Sequence, residues 1–413
     1  MKFVHGVGKG FFPLDEELEL LPGILTPHGH ECLVRLASWM PFRKATELFE
    51  DFMGIEVSKI VSQEYAEAAG AAYEQMQNEE VERLGREAPL EGKGGDNKLQ
   101  ISVDGAMVPL LHGIWGEVKT LVIGDVQPAV EERGERVVHT HNLSYFSRKV
   151  NSEEFQRLAL VEIHRRGVEN AQEVAAIVDG ADWEQGFIDY HCPRAVHILD
   201  FPHAAEHVND IGEFLYGEHT QESQAWLGER LHCLKQEGPD KLLVEFHTLQ
   251  QQQPEAQAIS GNLAYLEKRR NQMQYPLFQA QGWPIGSGIV ESGNKLVVEA
   301  RLKGSGMHWA DSHVNSMLAL RNIICSDRWK EEWPKIEARL RQQTRQRRSK
   351  LHQSRIKIHP TLPSPSAPPL DPKLVQSLSA QLESQKSPKK PKNNPWRNFK
   401  VGKALFQPTP PKN

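Results

Sequence analysis

LQISVDGAMVPL (99–110), read with GEVKTLVIGDV (116–126) and ERVVHTHNLSYF (135–146), decides the fold. Each run is rich in β-branched residues and alternates apolar with polar positions, and turn residues separate them. LQISVDG (99–105) and its two successors therefore read as three consecutive strands. NSEEFQRLALVEIHRRG (151–167) changes the period to that of an amphipathic helix, with Asn151 or Ser152 as cap and Gly167 as stop. EVAAIVDG (173–180) is a fourth strand and WEQGFIDYH (183–191) a short helix. RAVHILDF (194–201) makes a fifth strand leading into the helix PHAAEHVNDIGEFLYG (202–217).

Three strands, helix, strand, helix, strand, helix is the order of an RNase H-like α/β fold, a mixed five-stranded sheet with flanking helices. In that topology one acid lies on the first strand and another at the end of the fourth, where Asp104 and Asp179 fall. Glu291 lies just inside a helix-like segment, IGSGIVESGNKLVVEARLK (285–303). Acids that close buried strands are costly unless they meet a cation or a partner. Two such aspartates and a distant helical glutamate suit a pair of Mg²⁺ (or Mn²⁺) ions, with Asp104 bridging and Asp179 and Glu291 holding one each. Such a site cuts and joins phosphodiesters without a covalent nucleophile on the protein. Each acid also has a plainer reading. Asp104 before Gly105 and Asp179 before Gly180 suit turns, and Glu291 suits the first turn of a helix. The strand order tips the balance toward the metal site.

Outward from this core, residues 1–83 read as helical. PFRKATELFEDFMG (41–54) puts Ala45, Leu48, Phe49 and Phe52 on one face and ends at Gly54. SKIVSQEYAEAAG (58–70) starts at the cap Ser58, with Ile60, Val61 and Tyr65 inward. Two short helices and a tight turn resemble a helix-turn-helix, which would aim Lys59 and Gln63 at bases. Glu56, Glu64 and Glu67 would repel phosphates, so a plain helical hairpin fits equally. Residues 84–97 are expected to be a linker, 98–217 the first part of the core, 218–282 an all-α insertion and 283–333 the rest of the core. Residues 334–413 form a basic tail, expected to be disordered over 352–393.

Of the 413 residues, 39% are hydrophobic and 25% charged, ordinary for a globular chain with two or three domains. No apolar run reaches membrane-spanning length and the N-terminus lacks signal-peptide order, so the cytoplasm is expected. The four scattered cysteines form no CxxC pair, which argues against a zinc ribbon. The net charge of −5 hides an asymmetry: from Pro334 onward 18 Lys and Arg face 3 acids, leaving −20 for residues 1–333. A basic tail on an acidic body suits a polyanionic partner, or else is a solvated tail with none.

ILDFPHAAEH (198–207) holds Asp200, His203, Glu206 and His207. Its HxxEH spacing invites comparison with zinc peptidases, but a buried Asp200–His203 pair bracing the sheet fits better. Asp200 is also an alternative to Asp179 as second metal ligand. WPIGSGIVES (283–292) brings Gly286 and Gly288 to a helix start that suits a phosphate, or a turn capped by Ser287. Asn294 and Lys295 lie near the face of Glu291, where they would steady a DNA backbone. Arg301, Lys303, His308 and Trp309 in RLKGSGMHW suit an unpaired base, though Trp309 fits a core equally.

FFPLDEELEL, SVDGAMVPL, IVDGADW, HILDFPHAAEH, PIGSGIVES and RLKGSGMHW together resemble bacterial insertion-sequence transposases of the ISKra type, DDE enzymes allied to the mutator-like group. The resemblance runs from about residue 10 to residue 330, and NPWRNFK is also typical of such tails. It implies that Asp104, Asp179 and Glu291 form the DDE triad, and that Asp200 and His203 match the group's D-x-x-H signature. It implies an enzyme that cleaves and joins double-stranded DNA at element ends and target, a homo-oligomer on DNA in the bacterial nucleoid. The alternatives are an RNase H-type nuclease or resolvase, and an inactive DNA-binding remnant. Relatives often carry cysteine pairs ahead of FFPLDE. MKFVHGVGKG (1–10) has none, so the chain is expected to start late.

Overall fold

The architecture rests on a five-stranded mixed sheet in the order β5-β2-β1-β6-β7, seen in a computed structural model that describes residues 20–358 except 22, 87–94 and 133. FFPLDE, most of the expected linker, residues 359–393 and NPWRNFK lie outside the described residues. Met1–Arg347 form one unit, described next, and Arg348–Asn413 form another.

Three helices come first. Helix α1 (Pro27–Trp39) starts where the Thr26 hydroxyl accepts the Gly29 N–H, with proline in its first turn. Helix α2 (Phe42–Met53) ends at Gly54, left-handed at φ 66°, as its sequence indicates. Helix α3 (Lys59–Leu84) is capped by Ser58, which accepts from the Val61 N–H. It runs on past Gly70, the last residue of the helical segment read from the sequence. Gly70 is instead a close approach, since a Cβ there would collide with the Ser316 carbonyl of a later helix. Ala45, Phe49 and Tyr65 are buried as expected, but Phe52 (79% exposed) and Ile60 (65%) face solvent.

The strands are β1 (Gly95–Pro109), β2 (Trp115–Val126), β3 (Val130–Glu132), β4 (Glu135–Val137) and β5 (Thr140–Arg148). The expected third strand is therefore divided. Its first residues pair in the small β3–β4 hairpin, and only β5 joins the main sheet, antiparallel to β2. Asn142 at φ 51° and a register shift between Ile123 and Asp125 mark the irregularity. Next come α4 (Ser152–Arg165), capped by Asn151, then β6 (Ala171–Val178), α5 (Asp182–His191), β7 (Val196–Leu199) and α6 (Phe201–Tyr216). β1 and β2 are antiparallel, whereas β1, β6 and β7 run parallel.

The region 218–282 is helical: α7 (Gln221–Glu237), α8 (Asp240–Gln252), α9 (Gln257–Lys268) and α10 (Tyr275–Ala280). Helix α11 (Gly288–Gly293) continues through a π-helical stretch (Asn294–Glu299) into α12 (Ala300–Leu302). Helices α13 (Asp311–Cys325) and α14 (Trp329–Ile358) complete the described chain. The tail is thus helical to Ile358, and Trp329, Trp333, Ile336 and Leu340 at its start are buried. No helix of the described residues is long and apolar enough to cross a membrane.

Alternation along the strands sends Ile101, Val103, Leu121 and Ile123 to the face covered by α4 and α5. Ala106, Val108, Val118 and Val122 meet the N-terminal helices, α11 to α14 and Tyr145 on the other. Gly70→Ala should force α3 away from α13, costing about 1–3 kcal/mol as overpacking does. A urea unfolding midpoint that stays at the wild-type value would contradict this packing.

Candidate metal centre

Parallel pairing of β1 with β6, with Ile101 opposite Ala176, carries Asp104 and Asp179 to the same end of the sheet. Asp104 does not close its strand. It sits within β1 opposite Thr120, so neither it nor Gly105 forms a turn. Its carboxylate accepts from the Gly105 N–H at 2.6 Å and the Asn294 side-chain amide at 2.7 Å. Asp179 follows the last residue of β6 and accepts from the Ala181 N–H at 3.0 Å. One carboxylate oxygen each from Asp104, Asp179 and Glu184 lie within 4.8 Å of one another.

Glu184 escaped the sequence reading. It stands in the first turn of α5, where an acid five residues after Asp179 looks like an ordinary helix-start residue, and it does accept the Gly180 N–H at 3.2 Å. Only its 1% exposure, visible in the fold alone, shows that it belongs to the acid cluster.

Glu291 lines the same small pocket of about 140 Å³ as Asp104, Asp179, Asp200 and His203, but it is solvent-exposed and outside the tight trio. Asp200 is buried and accepts from the Ser287 N–H (2.6 Å) and the His203 backbone N–H (3.0 Å). The expected side-chain pair of Asp200 and His203 is therefore a helix cap instead. The His203 ring turns to Glu206 at 3.3 Å. Ser287 caps nothing with its side chain; its N–H is held by Asp200 and is not open to a phosphate.

The residues expected on DNA divide. Lys59, Lys295 and Lys303 are exposed, Lys303 pairing with Glu299 at 2.7 Å, and half-buried Gln63 bonds Glu67 at 2.8 Å. Asn294 is buried against Asp104 rather than facing outward. Arg301 (2% exposed) donates to the Ala37 carbonyl and its guanidinium lies 5.0 Å from the Trp309 ring centre, and Trp309 is 7% exposed. Both are core residues, so neither can meet a base. His308 is exposed.

Burial and the neighbouring charges of Asp179 and Glu291 push the Asp104 carboxyl up, against the pull of the Gly105 N–H and Asn294. Burial also raises Asp179, but the Glu184 hydrogen bond, the Ala181 N–H and the charges of His203 and Arg269 outweigh it and hold it below the usual range. Glu184 is pushed up to about 10, first by burial and then by Asp179 and Asp104. Glu184 thus keeps its proton and stays neutral in a cluster that would otherwise concentrate negative charge. An all-carboxylate donor set of this spacing fits a hard divalent cation, which would substitute for that proton.

Compared with known proteins, the chain matches no protein-family model and no curated protein.

Because Glu184 is protonated in the native state and ionised above about pH 4.5 when unfolded, its contribution to stability is full below that pH and is lost as pH rises toward 10. Asp179, depressed in the fold, is ionised in both states above about pH 5 and adds no slope there. Without divalent cations, the melting temperature of Glu184→Gln should gain on wild type from pH 5 to pH 8. Parallel melting curves against pH would contradict a protonated Glu184.

Proposed function

We propose that this protein is a DDE-type transposase, cleaving and joining DNA strands at insertion-sequence ends on an RNase H-like core. The observation that carries the reading is the meeting of Asp104 and Asp179, 75 residues apart in sequence, beside a pocket that Glu291 also lines. The sheet order β5-β2-β1-β6-β7, with its parallel β1-β6-β7 half, supports an RNase H-like core. The sequence resemblance to ISKra-type transposases supports the particular chemistry.

Asp104 and Asp179 would hold Mg²⁺ or Mn²⁺, with Glu291 or Glu184 as the third acid. When bound, such ions activate a water or a 3′-hydroxyl and neutralise the leaving oxygen. Asn294 orients the Asp104 carboxylate, and Asp200 ties the 283–287 loop, and with it the start of α11, to the end of β7. Exposed Lys59, Lys295 and Lys303, with exposed Arg345 and Arg347 of α14, supply the sequence-independent attraction for DNA phosphates. Double-stranded DNA is the proposed partner, bound by a homo-oligomer in the bacterial cytoplasm at the nucleoid.

Purified protein with Mg²⁺ and DNA carrying the sequences that flank its gene should give cleaved and joined products. Asp104→Asn should lower the rate by more than the roughly 100-fold that loss of an outer ligand partner costs. Cleavage that survives Asp104→Asn would refute the reading, and cleavage without joining would favour a nuclease. Glu291→Gln is expected to match Asp104→Asn if Glu291 completes the triad, and Glu184→Gln if Glu184 does.

A further inference from the structure

The all-α insertion reaches the candidate centre through Tyr275, which donates its hydroxyl to the Leu199 carbonyl beside Asp200 at 3.1 Å, and more extensively through α9. Helix α9 and the residues just after it lie along the segment that carries Asp179. Tyr265 donates its hydroxyl to the Asp179 carbonyl, and Arg269 donates to the Gly180 carbonyl. Lys268 pairs with Asp182 at 2.7 Å, and Gln272 donates to Gln185 at 2.9 Å. Four successive contacts thus follow one strand-to-helix turn.

The grip is tight where it meets the turn. Gly180 sits at φ +88°, where a side chain is strained, and a Cβ there would also lie 2.7 Å from the Tyr265 hydroxyl and strike Arg269. Arg269 is 6% exposed and lies 3.6 Å over the Tyr265 ring, and it also donates to the Tyr265 carbonyl at 3.1 Å. On its other side Tyr265 stacks on His207 of α6 at 3.8 Å, and His207 is fixed by Asn262 at 2.6 Å. Ring, guanidinium and turn therefore form one packed stack against the Asp179–Gly180 backbone.

We propose that Tyr265 and Arg269 are positioning residues for Asp179: the insertion fixes the Asp179–Gly180 backbone and thereby sets where the Asp179 carboxylate meets a divalent cation. This rests on the reading of the Asp104 and Asp179 pair as a metal site. It makes the insertion part of the centre rather than a helical appendage. Placement matters because a ligand held by outer partners binds metal better than one that must be ordered on binding.

Mn²⁺ binding to the full-length protein, followed by calorimetry, provides the test. Tyr265→Phe keeps the ring and loses only the hydroxyl, while Arg269→Lys keeps the charge and loses the planar fork. Each should weaken Mn²⁺ binding on the order of ten-fold, and Tyr265→Phe should do so with melting close to wild type. In the cleavage assay kcat should fall while KM for DNA holds. Tyr73→Phe, which removes a hydroxyl bonded to Arg165 outside the centre, should leave Mn²⁺ binding unchanged. Wild-type affinity in both clamp variants overturns this proposal and leaves the metal-site reading intact. If both clamp variants fail to fold, the clamp is structural and the proposal also falls. If wild type binds no Mn²⁺ in an Asp104-dependent way, both the reading and the proposal fall.

Discussion

Pairing β1 with β6 in parallel brings two half-buried aspartates side by side, and the surrounding structure answers that burden. Two unit charges 4–5 Å apart repel by roughly 3–4 kcal/mol at an effective dielectric near 20. The protein meets this with a proton on Glu184, with the N–H groups of Gly105 and Ala181, and with the amide of Asn294. Such a concentration of acid is an odd choice for stability alone, because an apolar trio would pack without cost. It fits the divalent-cation site proposed for these acids.

Asn294 reaches Asp104 from the first residue of a π-helical stretch, a local distortion that recurs at functional sites. Its widened turn frees carbonyls, and Arg321 donates to two of them, Leu296 and Val297, as well as to Ser38. Arg301 packs nearby, bonded to Ala37, and burial together with the charge of Arg321 pulls its guanidinium down to about 10. These two buried cations therefore serve the backbone behind the centre. They brace the helix that carries Glu291 and Asn294 against α1.

Much of the fold was legible because its signals are local. Alternation marked the strands, Asn151 and Gly167 bounded α4, and Gly54 ended α2, each through a conformation that its own residues dictate. What failed depended on distant neighbours. Gly70 ended the helical segment read from the sequence, yet the helix continues and the glycine's missing side chain admits Ser316 from 246 residues on. Asp104 looked like a residue that closes its strand until β2 extended the pairing on both sides of it. Arg301 and Trp309 looked like DNA contacts, because basic and aromatic residues read alike until Phe42 and Ala37 are seen to cover them. Glu184 and the Tyr265–Arg269 clamp carried no local signal, since only the sheet and the insertion bring them to Asp179.

Diffraction from crystals soaked in Mn²⁺ tests most directly whether acids from separate strands share a cation. An anomalous peak about 2 Å from carboxylate oxygens of both Asp104 and Asp179 is the expected result. Saturating Mn²⁺ with no peak between those two side chains would contradict the account.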